Sequence, residues 1–234
     1  MSKPILYMGK SGTGKSSALR NLPPEKTFII RPNAKTLPFP GAAKNYSEDK
    51  ENLLTCNDLI ELKDYIKQIA EGATHIKYLV IEDFTHFFSA RIFSNAFASQ
   101  TSGNAAFQRW NQFGTDVFQA LFADTQNLRD DLYIIVIHHT EVKEDGVIGF
   151  KSPGKLLDNT IDVPSYFTYV LHGKVKDSEK GPNYLIQTNK TGSMDAKTPP
   201  GLFPLEMKND LKPILDKIEK YSDGEIDIPE TAWR

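Results

Sequence analysis

Residues Gly9 to Ser16 read Gly-Lys-Ser-Gly-Thr-Gly-Lys-Ser, a complete G-x-x-x-x-G-K-[ST] pattern. Nothing else in the chain restricts its fold as strongly, because the pattern does its chemistry only at the turn between a buried strand and a helix. Both flanks comply. Ile5-Leu6-Tyr7-Met8 is an apolar run suited to a buried strand, and Ser17-Ala18-Leu19-Arg20 suits the first turns of a helix expected from Lys15 to about Asn21, ahead of Pro23-Pro24. In such a loop Gly9, Gly12 and Gly14 let the backbone turn tightly and aim N–H groups inward, where they and the helix N-terminus hold phosphate oxygens. Lys10, Ser11, Thr13 and Ser17 complete the expected cradle. Lys15 supplies a point charge for β- and γ-phosphates, and the Ser16 hydroxyl a ligand for Mg²⁺. With no nucleotide bound, Lys15 is expected to be solvated. The pattern implies a site for ATP with Mg²⁺.

Composition narrows the setting. The chain has 234 residues, 39% hydrophobic and 25% charged, enough for one sizeable α/β core. A net charge of -2 argues against a general basic coat for nucleic acid and leaves room for a local basic groove. Cys56 is the single cysteine, so no intramolecular disulfide forms, which fits a reducing cytoplasm. The longest aliphatic or aromatic run, Leu132 to Ile137, is far too short to span a bilayer. The first strand begins within a few residues of Met1, leaving no room for a signal peptide. The expectation is a cytoplasmic protein with no membrane partner.

Buried strands are expected at Thr27-Phe28-Ile29-Ile30, Tyr78-Leu79-Val80-Ile81 and Leu132 to Ile137, the last followed by His138-His139-Thr140-Glu141. Residues 31–50 read as loop. Asp58 and Glu61 open a helix in which Leu59, Leu62, Ile66 and Ile69 recur at helical spacing up to Gly72. A Phe-rich helical stretch follows Asp83, broken by the polar segment Gln100 to Asn104, with Trp110, Phe113, Val117, Leu121 and Leu128 on one face of its second half. Two runs, Tyr166 to Val175 and Tyr184 to Asn189, form a hairpin across Lys176 to Pro182, and a helix covers about Leu211 to Tyr221. Strands alternating with helices predict an α/β fold with a mainly parallel sheet flanked by helices and a C-terminal β-rich segment. The division read from the sequence is one phosphate-loop domain over 1–221 and an acidic tail over 222–234.

Triphosphate chemistry needs a second acidic site at the C-terminal end of a buried strand, and Tyr78 to Ile81 ends in Glu82-Asp83. By position Glu82 takes the metal-facing slot and Asp83 polarises the attacking water. The reverse assignment stays open, as does the plainer reading that both acids solvate a strand end. His138 and His139 are neighbours on a strand and point to opposite faces, so they make poor joint metal ligands. One of them, His139 at the strand tip, is read as a sensor of the γ-phosphate, or else as a neutral histidine in a polar pocket. With one cysteine and no Cys/His cluster, structural zinc is not expected. Lys143, Lys151 and Lys155, interleaved with Gly146, Gly149 and Gly154, make a basic loop suited to nucleotide-gated contact with single-stranded DNA, or simply a solvated surface. Phe93-Ser94-Asn95-Ala96 matches the short Phe-x-x-Ala pattern that some recombinases use between subunits, but it falls in a helical stretch, where core packing is the favoured explanation.

The order of these features resembles the RecA-like phosphate-loop ATPases, and more narrowly the phage-encoded short RecA-like proteins of the Sak type that act in single-strand annealing and recombination. The resemblance covers about 1–205. It rests on Gly9 to Ser16, the strand ending at Glu82, Ile135-Val136-Ile137-His138-His139 where the family has its sensor strand, and Gly-Phe-Lys-Ser-Pro-Gly-Lys at 149–155. It implies a RecA-like core, an Mg²⁺-dependent ATPase, action on single-stranded DNA, a homo-oligomer, a single-strand-binding protein as a further partner, and, if phage-encoded, the host cytoplasm. Lys190, in Asn189-Lys190-Thr191-Gly192, falls where the family has a basic residue that reaches a neighbour's nucleotide. The chain departs from the family at Arg31-Pro32-Asn33, where relatives often carry a catalytic Glu, so Asp83 or Glu82 must serve or hydrolysis must be slow. A small-molecule kinase is the competing reading. Its arginine-rich lid is missing, since the six arginines (Arg20, Arg31, Arg91, Arg109, Arg129, Arg234) are scattered. A nucleotide-gated interaction protein with little turnover is the third.

Overall fold

The computed structural model describes residues 2–98, 103–123, 125, 127–154 and 162–233. The phosphate loop follows β1 (Lys3–Gly9), which lies between β5 (Tyr133–Val142) and β7 (Tyr169–Lys176) in a parallel set that also holds β2 (Thr27–Arg31), β3 (Leu53–Thr55) and β4 (Tyr78–Ile81). Sheet order is β3-β2-β4-β5-β1-β7-β8-β9, closed on one side by antiparallel β8 (Asn183–Gln187) and β9 (Glu206–Lys208). A short β6 (Ile148–Phe150) hairpins back onto β5. Thus β5 separates the phosphate-loop strand from the acid-bearing strand β4, and its own end lies between theirs. In the register of β1 against β5, Gly9 sits opposite His139 and Met8 opposite His138.

Period-two alternation sorts the core into two layers. Leu6, Met8, Leu79, Ile81, Ile134 and Val136 face α2 (Leu59–Gly72), α3 (Phe84–Ile92) and α5 (Gly103–Phe118). Ile5, Tyr7, Val80, Ile135 and Ile137 face Ala18, Leu19, Phe39 and the helix that ends the fold. In α2, Asp58 accepts hydrogen bonds from the N–H groups of Ile60 and Glu61 at 2.7 and 3.3 Å, satisfying two of the orphan donors of the first turn. The closing helix, Leu211–Ser222, tolerates Pro213 in its first turn, where that N–H has no acceptor, and Asp210 caps it through Lys212 N–H. It buries Leu211, Ile214, Leu215 and Ile218 against the sheet, about 1.5–3 kcal/mol each relative to exposure. Between α3 and α5 lies the single turn α4 (Asn95–Ala98), and α1 (Ala42–Asn45) is another, so the closing helix is α6.

The structure corrects several expectations. No regular helix follows the phosphate loop: Ser16–Leu19 is a four-residue 3₁₀ turn, so little macrodipole is available there and a bound phosphate would depend on the loop's own N–H groups. The 31–50 loop contains α1 and a 3₁₀ turn at Glu48–Lys50, and it leads into β3, a strand absent from the sequence reading. The strand read as ending at Ile137 runs on to Val142, because β6 gives Thr140, Glu141 and Val142 a partner. Gly103 and Asn104, assigned to a break, open α5, while residues 99–102 lie outside the described set. The strand read as starting at Tyr166 starts at Tyr169, after a 3₁₀ turn. Phe93 is 83% exposed at the end of α3, so core contact does not explain it. Ile226 and Ile228 of the acidic tail pack on the α6 face of the core. Among the described residues no helix is long and apolar enough to cross a membrane.

Candidate nucleotide site

The carboxyl ends of β1, β4 and β5 open into one cleft of about 950 Å³, the size of a nucleotide pocket and the usual position for a ligand on an open α/β sheet. Gly12 and Gly14 both have φ of +81°, which a side chain would strain. A Cβ on Gly14 would also lie 2.5 Å from Asn209 Nδ2, and one on Gly9 would lie 2.7 Å from Thr13 Oγ1 and 2.8 Å from the Gly173 carbonyl. Lys10, Ser11 and Gly12 are exposed at the loop tip, and Ser17 Oγ donates to the Pro38 carbonyl at 3.1 Å. Lys15 is not solvated as expected. It is 7% exposed, and Nζ donates to the carbonyls of Gly9 at 2.8 Å and Lys10 at 3.0 Å. Burial pushes its ammonium below the usual lysine range, opposed by the charges of Asp83 and Glu82. The loop's own carbonyls thus hold the place that phosphate oxygens would take.

Glu82 continues β4 into the cleft, where Ser16 Oγ donates to its Oε1. Burial pushes its carboxyl up to about 7, against the pull of the Ser16 hydrogen bond and of Lys15 and Lys35. Its second oxygen, Oε2, is buried with no hydrogen-bond partner among the described residues. An orphaned carboxylate oxygen beside a hydroxyl is an all-oxygen donor set that fits Mg²⁺. Asp83 has φ 56° and ψ 55°, a left-handed conformation that swings its side chain off the strand toward two histidines. His86 Nε2 lies 3.0 Å from Oδ2 and His139 Nε2 lies 3.2 Å from Oδ1. Burial alone would raise this carboxyl, but the His139 contact, the His139 and His86 charges and Lys15 outweigh it and hold it below the usual carboxylate range. Glu82 and Asp83 therefore differ in kind, one held by a hydroxyl and the other by two imidazoles.

His138, on the opposite face, is fully buried against Phe150, with ring centroids 3.8 Å apart and planes 3° from parallel. Its Nε2 lies 2.7 Å from the Lys151 carbonyl and its Nδ1 lies 3.2 Å from Thr85 Oγ1, which accepts the His139 N–H at 2.9 Å. A carbonyl only accepts, so the neutral ring must carry its proton on Nε2 and take the Thr85 hydroxyl proton at Nδ1. Burial lowers its pKa from 6.5 to about 3, only partly offset by the Lys151 carbonyl. Below pH 6.5 the unfolded chain gains a proton here that the folded chain refuses. Stability is therefore full above that pH and falls as pH drops toward 3, by about 1.4 kcal/mol per pH unit from this group. His172, also lowered by burial, acts in the same direction. Urea unfolding of wild type and His138→Gln between pH 5 and 7 should show a shallower slope in the variant. Equal slopes would remove His138 as the source.

Several residues of the cleft went unread in the sequence. Lys35, on the loop after β2, faces Glu82 and Lys15 closely enough to shift both. Asn209 Nδ2 donates to the Gly14 carbonyl at 2.7 Å, its Oδ1 accepts from Tyr7 Oη at 2.6 Å, and its carbonyl accepts from Arg20. Tyr184 stands beside Gly14 on the same wall. His86 was missed although its spacing from Asp83, three residues along a helix start, puts both on one face. Of the basic residues, Lys143 pairs with Glu141 at 3.1 Å and Lys151 N–H donates to the His139 carbonyl at 3.1 Å, while Lys155 lies outside the described residues. Lys190 does not line the cleft and pairs with Asp195 at 3.3 Å.

No curated protein matches this chain in sequence. Among solved structures, a KaiC-like protein from the hyperthermophilic archaeon Pyrococcus horikoshii aligns over 84% of this chain and 81% of its own, with a TM-score of 0.43 and 12% identity. The family model AAA_24, described as an AAA domain, matches residues 2–199, which span the phosphate loop, the Glu82-Asp83 strand end and the β5 histidines. The fold is an α/β phosphate-loop fold with a mainly parallel sheet flanked by helices, and the chain belongs to the AAA_24 family of AAA domains.

Proposed function

We propose that this protein binds ATP with Mg²⁺ in the β1–β4–β5 cleft, hydrolyses it, and uses the cycle to control contact with single-stranded DNA. The observation that carries the reading is the meeting of Lys15, Ser16, Glu82, Asp83 and His139 around one cleft. Ser16 and Glu82 would hold Mg²⁺, which supplies charge neutralisation on the phosphate oxygens. Lys15 Nζ exchanges the Gly9 and Lys10 carbonyls for β- and γ-phosphate oxygens. Asp83 accepts the proton of the attacking water while the water oxygen bonds to the γ-phosphorus and the bond to the bridging oxygen breaks, releasing ADP and phosphate. His139 and His86 fix the carboxylate's orientation.

The coupling to DNA has a physical route in this chain. Lys151 is tied through its N–H to His139 and through its carbonyl to His138, and Thr85 links the two histidines. A shift of His139 on loss of the γ-phosphate would be felt at the main chain of the segment that carries Lys143 and Lys151. Single-strand annealing or recombination in a phage, with a homo-oligomer, Lys190 reaching a neighbouring subunit and a single-strand-binding protein as partner, is the setting that the sequence resemblance favours. ATP turnover measured with and without a short single-stranded oligonucleotide tests the reading, together with anisotropy at several salt concentrations. Affinity should be higher with Mg·ATP and fall with salt, and the Lys143, Lys151 and Lys155 triple alanine variant should flatten the log–log slope by about 0.7 per lysine. No binding at low salt with Mg·ATP would reject the DNA part of the proposal.

A further inference from the structure

Asp83, His86 and His139 are the one group of three or more metal-capable side chains found among the described residues, with one ligand atom from each within 4.8 Å of the others. We infer that these three residues form a second cation site, separate from the Ser16–Glu82 position, that takes a transition-series divalent cation such as Zn²⁺ or Co²⁺. The three side chains converge. One imidazole nitrogen meets each oxygen of Asp83, His86 Nε2 at 3.0 Å from Oδ2 and His139 Nε2 at 3.2 Å from Oδ1. A cation with bonds of about 2.0–2.1 Å draws neighbouring ligand atoms to about 2.9–3.4 Å, which small side-chain adjustments reach from the 4.8 Å within which all three lie. A second observation points the same way: Asp83 Oδ1 is buried and accepts no well-aligned hydrogen bond.

The donor chemistry separates the two positions. Ser16 and Glu82 offer only oxygen, which suits Mg²⁺, whereas two imidazoles and one carboxylate favour first-row transition ions and leave coordination places open to the cleft. The ligands are also well fixed. His139 is held on β5 by its register with Gly9, and Asp83 by its left-handed backbone at the head of α3, three residues before His86. A cation here takes the oxygens of Asp83 and the Nε2 of His139 away from any water in the cleft. Such ions therefore inhibit Mg²⁺-supported turnover. That consequence rests on the ATPase reading, and binding of the ion itself does not.

The test uses the full chain without nucleotide, in excess Mg²⁺, titrated with Co²⁺ and followed by its visible d–d absorption, then challenged with Zn²⁺. The expected result is one Co²⁺ per chain with the spectrum of nitrogen ligation, unaffected by Mg²⁺ and displaced by Zn²⁺. His86→Ala, on a half-exposed side chain that threatens no core contact, should weaken Co²⁺ by at least about tenfold, as should His139→Ala. Glu82→Gln should leave the spectrum in place. Absence of Co²⁺ binding to the wild type, or binding that His86→Ala and His139→Ala leave unchanged, overturns the site. Because no nucleotide enters the measurement, that result would leave the reading of ATP turnover standing.

Discussion

Lys15→Ala is expected to lower kcat/KM for ATP by about 10²–10³-fold, the usual cost of removing one preorganised electrostatic contact from a developing anion. The same change should barely move the fold. Among the described residues Lys15 Nζ is bonded to the Gly9 and Lys10 carbonyls, and its burial already depresses the ammonium, so the nucleotide-free protein gains little from the charge. The cleft is open to water, which can replace Nζ at both carbonyls, and the net loss should stay near 1 kcal/mol, a shift of a few degrees in Tm. Phosphate release, ATP affinity by calorimetry and a thermal melt separate the two effects. Turnover equal to wild type would refute the phosphate-loop assignment. A collapse of the melt would instead show that Lys15 holds the loop together.

The parts of the site legible in the sequence are those at the ends of apolar runs. Gly9 to Ser16 follows Ile5 to Met8, Glu82-Asp83 follows Tyr78 to Ile81, and His139 follows Leu132 to Ile137, so a buried strand announced each. The opposite faces of His138 and His139 followed from the period of a strand alone. What stayed hidden depends on contacts that no local period encodes. Asn209 meets Gly14 across 195 positions, and Lys35 reaches Glu82 from a segment with only loop composition. β3 has three residues, too few to show alternation, and exists because β2 offers it an edge. The polar end of β5 gave no strand signal because its pairing with β6 is what extends it. Lys15 was misread for a related reason: composition shows a lysine on a glycine-rich loop, but the acceptors that fold it inward are main-chain carbonyls, which are the same in every sequence.

The two acids at the end of β4 should part company under mutation. Asp83→Asn keeps the size of the side chain and its reach to His86 and His139 but removes the charge proposed to accept a proton from water. It is expected to cut kcat by about 10²–10⁴-fold, the range for loss of a general base, with ATP affinity close to wild type. Glu82→Gln should do the reverse. Gln can still accept from Ser16, and a neutral amide suits a position where burial already pushes the carboxyl up to about 7, so the fold is not the casualty. What goes is an anionic oxygen at the Mg²⁺ position, so the Mg²⁺ concentration for half-maximal ATP binding should rise by about 10–100-fold. Binding isotherms across a Mg²⁺ series and single-turnover rates at saturating Mg²⁺ give both quantities for each variant. An inverted pattern would assign the metal to Asp83 and the water to Glu82, which the contact of Ser16 Oγ with Glu82 argues against. If neither variant altered either quantity, the divalent cation would have to sit away from β4, and the buried, unpartnered Oε2 of Glu82 would need another explanation.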